Sequence, residues 1–197
     1  MRILVALVLV AVACGFVMHE RKASLERRLG KVASTLAGRP AHVHCQGLVG
    51  ETFDVTTEQG SVWFDAEGQP ADTTDLKRPI CAALARYRSD VEGPAYGCVV
   101  SGGTCPARIE EEVLAVHVLA HESRHLRGER SESLAECNAL QTTAEAARLL
   151  GADPERAQAT AAYVLVHIYP TMPPEYQEAD CVNGGPRDLR PDDPVWP

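Results

Sequence analysis

The segment His121-Glu122-Ser123-Arg124-His125 sets two imidazoles four positions apart. On a helix that spacing stacks them on one face, within reach of a single ion. Neutral imidazole nitrogens suit Zn²⁺. The neighbouring carboxylate of Glu122 suits removal of a proton from a water that the metal makes acidic. Glu122 is therefore the candidate catalytic group, with His121 and His125 as candidate zinc ligands. The approach from Val113 to Ala120 is apolar on nearly every face apart from His117. Such a helix belongs at the centre of a domain, where it gives a metal site dry, rigid backing. The plainer alternative makes His121 and His125 packed or surface histidines, with Glu122 paired to Arg124 or Arg127. His117 is expected to be packed or hydrogen-bonded. His167 is expected in the core, with a substitute ligand role as the alternative.

The elements that must position these residues are mainly helical. A central helix is expected to begin near Thr104-Cys105-Pro106 and run through Glu110 to Leu126, ending at Gly128. A second is expected from Ser131 to Leu150, stopped by Gly151. A third is expected from the Asp153-Pro154-Glu155 cap to just before Pro170. Upstream, Pro79 opens a short helix through Tyr87. Three β-branched or aromatic stretches, His42–Cys45, Thr52–Val55 and Ser61–Phe64, suggest a small meander or hairpin. The expected class is α+β, mainly helical, with a small β meander before the site helices. The proline-rich tail from Pro173 is expected to wrap the surface.

At the paired histidines the chain resembles the zincin metallopeptidases. The downstream segment Glu132-Ser133-Leu134-Ala135-Glu136 is similar to the Glu-x-x-x-Asp helix of the gluzincins. The resemblance implies a zincin-like core of two helices, with Glu132 as third zinc ligand and Glu136 orienting a ligating histidine, or itself serving as the third ligand. Glu136 stands where those enzymes usually carry Asp. The interval from His125 to Glu132 is much shorter than theirs, so the chain must turn back almost at once, which Gly128 permits. Gly128 also falls where the metzincins place a glycine, with Ser131 at their third-ligand position, and Met172 bears a faint likeness to their methionine turn. The helix pair and the tail Cys181-Val182-Asn183-Gly184-Gly185 are also similar to those of small membrane-anchored bacterial proteins.

The chain has 197 residues and a net charge of −8. Its length suits one domain of about 155 residues beyond an N-terminal segment. The charge is spread without a basic patch, so no nucleic-acid partner is expected. Residues Ile3–Met18 are uncharged and run directly into His19-Glu20-Arg21-Lys22. Residues 1–20 are expected to form a membrane anchor, with a cleaved signal as the alternative. Residues 21–39 are expected to form a charged helical stalk, and residues 40–197 the domain.

Arg21, Lys22, Arg27, Arg28 and Lys31 follow the apolar run, and the positive-inside rule alone would place the domain in the cytoplasm. Six cysteines beyond Cys14 read instead as a disulfide framework in an oxidising compartment. Cys98 with Cys105 is the natural local pair, and Cys137 with Cys181 would tie the tail to the helices. The resulting expectation is a single-pass, extracytoplasmic, zinc metallopeptidase-like protein acting on a peptide or protein substrate. The alternative is a non-catalytic envelope interaction protein whose metal site is structural or lost.

Overall fold

The computed structural model describes residues 2–47 and 59–197, in residues 2–16 the backbone alone. Among the described residues the chain is mainly helical, with one small sheet. Helix α1 spans Arg2–Ala37 and is followed by β1 (His42–Cys45), β2 (Gly60–Phe64) and β3 (Pro70–Leu76). Then come α2 (Arg78–Asp90), the short α3 (Gly97–Val100), α4 (Ala107–Arg127) and α5 (Glu132–Leu140). Helices α6 (Thr143–Leu150) and α7 (Pro154–Tyr163) follow, and α7 runs on as a wider helical turn through Ile168. Among the described residues no helix is long and apolar enough to cross a membrane.

Helix α4 is the axis of the core. Val113, Ala115, Val116, Leu119, Ala120 and Leu126 are almost wholly inaccessible, and α1, α2, α5 and the sheet pack around them. Helix α4 ends at Gly128, whose φ of 114° lies in the left-handed region, with its N–H bonded to carbonyls of the last turn. Glu129 N–H then bonds the Arg124 carbonyl at 3.0 Å, reversing the chain within a four-residue link, Gly128–Ser131. Ser131 caps α5 by accepting from Leu134 N–H.

The sheet order is β1-β3-β2, with β1 parallel and β2 antiparallel to the central β3. The expected meander is thus corrected. β2 and β3 form a hairpin closed by Asp65 and Gln69, but β1 joins β3 in parallel. The expected strand Thr52–Val55 lies outside the described residues. The expected stalk also differs, because Leu29, Val32, Ala33 and Leu36 of α1 are buried in the core. They recur at the spacing of one helix face, so the second half of α1 is part of the domain.

The single helix expected from Ser131 to Leu150 is two, broken at Gln141-Thr142. There the Thr142 hydroxyl bonds the Asn138 carbonyl at 2.9 Å, a local partner that competes with helix continuation. Asp153 and Pro154 cap and open α7 as expected. Three disulfides staple the structure: Cys45–Cys81, Cys98–Cys105 and Cys137–Cys181.

Candidate metal centre

Three ligand atoms converge where α4 meets α5. His125 Nε2 lies 2.9 Å from His121 Nε2, and Glu132 Oε2 lies 3.1 Å from the first and 3.4 Å from the second when taken in the order His121, His125. The two histidines come from one face of α4. The four-residue turn brings Glu132, the first residue of α5, over them. Ligand atoms of His121, His125 and Glu132 all lie within 4.8 Å of one another.

The far nitrogens of both rings decide what faces the centre. His121 Nδ1 lies 2.9 Å from Glu136 Oε2, and His125 Nδ1 lies 2.7 Å from the Glu129 carbonyl. Both partners are acceptors, so each ring carries its proton on Nδ1 and turns the Nε2 lone pair inward. Two lone pairs and a carboxylate oxygen then confront one another with no donor between them. Only a cation or a bound proton makes that arrangement favourable.

The donor set fits zinc. Tetrahedral bonds of about 2.0–2.1 Å require donor atoms roughly 3.3 Å apart, close to the three edges seen. Three protein donors also leave a coordination position free, the pattern of catalytic rather than structural zinc sites.

Glu136, on α5, is 2 % exposed and bridges His121 Nδ1 and His117 Nε2, the latter at 2.6 Å. His117 Nδ1 in turn meets the Thr143 hydroxyl at 2.8 Å. Both carboxylate oxygens of Glu136 are thereby engaged away from the centre, which suits orientation of His121 rather than ligation. Burial alone would raise the Glu136 pKa, but the His117 and His121 rings beside it hold it down to about 2. Burial would lower His121, yet Glu132 and Glu136 overcome this and raise it to about 10. When the His121 and His125 rings are protonated, their hydrogen bonds hold Glu132 far below the ordinary carboxylate range.

Glu122 sits beside this centre without joining it. It is buried against the sheet, where its Oε2 lies 3.4 Å from the Thr74 hydroxyl. Thr74 has one proton and a closer acceptor, the Ser61 carbonyl at 3.0 Å, so Glu122 is only weakly engaged. Burial pushes its pKa up, and the two histidines pull it partly back. Gly60 of β2 presses on it so closely that a Cβ there would lie 2.7 Å from Glu122 Oε1.

A cavity of 530 Å³ opens over these groups. Val62 and Phe64 of β2, Leu114 and Val118 of α4, and Met172 and Tyr176 of the tail form its apolar walls. Phe64 meets the His125 ring edge-on at 6.3 Å, with the Arg130 guanidinium 5.8 Å from the Phe64 centroid, and Tyr176 tilts toward His121 at 5.9 Å. Among the described residues β2 pairs with β3 alone and forms the sheet edge beside the cavity.

His121, Glu122, His125, Glu132 and Glu136 are thus brought together. His167 is elsewhere, stacked on Tyr163 and 3.2 Å from the Gly102 carbonyl. The sequence reading did not anticipate Gly60, Thr74, the Glu129 carbonyl or Tyr176. Only Gly60 carried a signal, as a glycine opening an apolar stretch. No family model, curated protein or solved structure matches the chain.

Proposed function

We propose that the chain is a zincin-like zinc metallopeptidase. His121, His125 and Glu132 would hold the metal, with Glu136 orienting His121 and Glu122 acting as proton acceptor. The observation that carries this reading is the confrontation of two Nε2 lone pairs with the Glu132 carboxylate. A zinc ion there would supply Lewis-acid chemistry, polarising a carbonyl and making a water acidic near neutral pH. Glu122 has no strong partner, is held in place by Gly60 and lies next to the ligands. It is therefore free to take a proton and return it to a leaving group. A purely structural zinc site has no use for such a residue.

A peptide substrate is supported by the edge of β2 beside the cavity, unpaired among the described residues, because an extended peptide can add to a sheet edge through its backbone. The apolar walls favour an uncharged side chain near the cleaved bond. The three disulfides support an oxidising compartment. The apolar run Ile3–Met18 supports a single-pass anchor with the domain on the extracytoplasmic side.

The deciding experiment compares Glu122→Gln with the parent chain for zinc content and for cleavage of a peptide library. Retained zinc with hydrolysis reduced by about a hundredfold or more is expected. Equal hydrolysis by the variant would overturn the enzymatic reading. Zinc without hydrolysis in the parent chain would leave the metal as a structural element of an envelope interaction protein.

A further inference from the structure

A second cavity, of 620 Å³, shares no lining residue with the first and lies where α1, α2 and α6 meet. Arg27, Arg28 and Lys31 of α1 and Arg88 of α2 line it, together with the hydroxyl-bearing Ser24 and Thr35, and no carboxylate does. All four cations are exposed, and among the described residues none is engaged in an ion pair. In a chain of net charge −8 this groove gathers four cations with no acidic residue in its lining. A groove lined by four cations and no carboxylate is suited to an anion from outside.

The place of the groove says which anion. Helix α1 is unbroken from Arg2 to Ala37, so the groove and the apolar run Ile3–Met18 share one axis. From Met18 to Arg27 the rise is only about 14 Å. Helical side chains lean toward the N-terminus, which shortens that gap. Attraction to a charged surface extends about 8 Å further at physiological salt. The arginine fork matches phosphate oxygens in pairs.

We propose that this groove binds the phosphate of an anionic phospholipid headgroup in the bilayer that the apolar run enters. The proposal rests on the reading of Ile3–Met18 as an anchor and is independent of the metal site. It also gives Arg27, Arg28 and Lys31 a reason to follow the apolar run other than membrane orientation. They are parts of a folded groove as well as flanking charges.

The test uses the full chain in an uncharged detergent, mixed in separate samples with phosphatidylglycerol and with phosphatidylcholine, and native mass spectrometry to count retained lipid. The parent chain is expected to retain phosphatidylglycerol more than about tenfold better than phosphatidylcholine. The Arg27→Gln/Arg28→Gln/Lys31→Gln/Arg88→Gln variant, altered only at exposed positions, is expected to lose that preference while keeping its zinc. Equal retention of both lipids by the parent, or an undiminished preference in the variant, would overturn the proposal. Displacement of the lipid by inorganic phosphate at a similar concentration would assign the groove to free phosphate and overturn the lipid assignment. The intact mass of the same sample reports whether residues 1–20 are present, which separates a failed groove from a failed anchor.

Discussion

His121 Nε2 and His125 Nε2 face each other at 2.9 Å while each ring spends its Nδ1 proton on an acceptor, Glu136 for the first and the Glu129 carbonyl for the second. Without a metal, one of the two must take up a proton to relieve the contact. The raised pKa of His121, about 10, says that it does so across the neutral range. Zinc must therefore expel a proton to bind. The zinc dissociation constant is expected to fall by up to about tenfold per pH unit between pH 6 and 8. Calorimetry in buffers of differing ionisation enthalpy should show proton release. A pH-independent affinity would contradict this protonation pattern.

Glu132→Ala removes one of three donors, whereas His167 lies far from the centre on Tyr163. Zinc affinity is expected to drop at least about a hundredfold in Glu132→Ala and to stay unchanged in His167→Ala. Glu136→Gln, which leaves the donors in place but loosens His121, is expected to cost between about tenfold and a hundredfold. Equilibrium dialysis against a competing chelator would rank the three.

The close approach of Gly60 to Glu122 makes Gly60→Ala a probe of position. The added methyl would lie 2.7 Å from Oε1, 2.8 Å from Cδ and 2.8 Å from Cγ, so the whole end of the buried side chain must move. Hydrolysis is expected to fall by about tenfold or more with zinc retained. The melting point should also drop, reflecting about 1–3 kcal/mol of overpacking. Unchanged turnover would mean that Glu122 does not need this seat.

Glu136 is buried, and its folded pKa of about 2 lies below its ordinary 4.5. A depressed carboxylate pKa contributes stability that is present above the unfolded value and lost as pH falls toward the folded one. Metal-free protein is therefore expected to lose about 3 kcal/mol between pH 4.5 and 2 through this group, and Glu136→Gln to flatten that part of the curve. Urea titrations at several acidic pH values would show it.

The site was more legible than the scaffold. His121, His125, Glu132 and Glu136 lie on two helices, where fixed spacing converts sequence into geometry, and a glycine in the left-handed region accounts for the short return. Strand β3 escaped notice because Asp72, Thr73, Thr74 and Asp75 are polar. Its inward residues include Thr74, which faces Glu122 and not a wholly apolar core. The break at Gln141-Thr142 depends on one hydroxyl choosing a carbonyl, a choice that residue type does not dictate. The core face of α1 was readable, since Leu29, Val32, Ala33 and Leu36 form a helical stripe. The cations at Arg27, Arg28 and Lys31 masked it. Gly60 stood out locally as a glycine opening an apolar stretch, but its role lies in a contact with a residue 62 positions later in the chain, which no local pattern specifies.

The Cys137–Cys181 bond joins α5, which carries Glu132 and Glu136, to the tail segment that supplies Met172 and Tyr176 to the cavity wall. The same tail is also held by hydrogen bonds, among them Glu178 N–H to the Tyr169 hydroxyl at 2.9 Å and Leu189 N–H to the Gln141 side-chain oxygen at 2.6 Å, so the disulfide secures a wall that is already seated. Oxidation thus limits how far that wall can move from the ligand-bearing helix as well as adding stability. The helix that carries Glu132 and the tail that lines the cavity therefore cannot part without a covalent bond being broken.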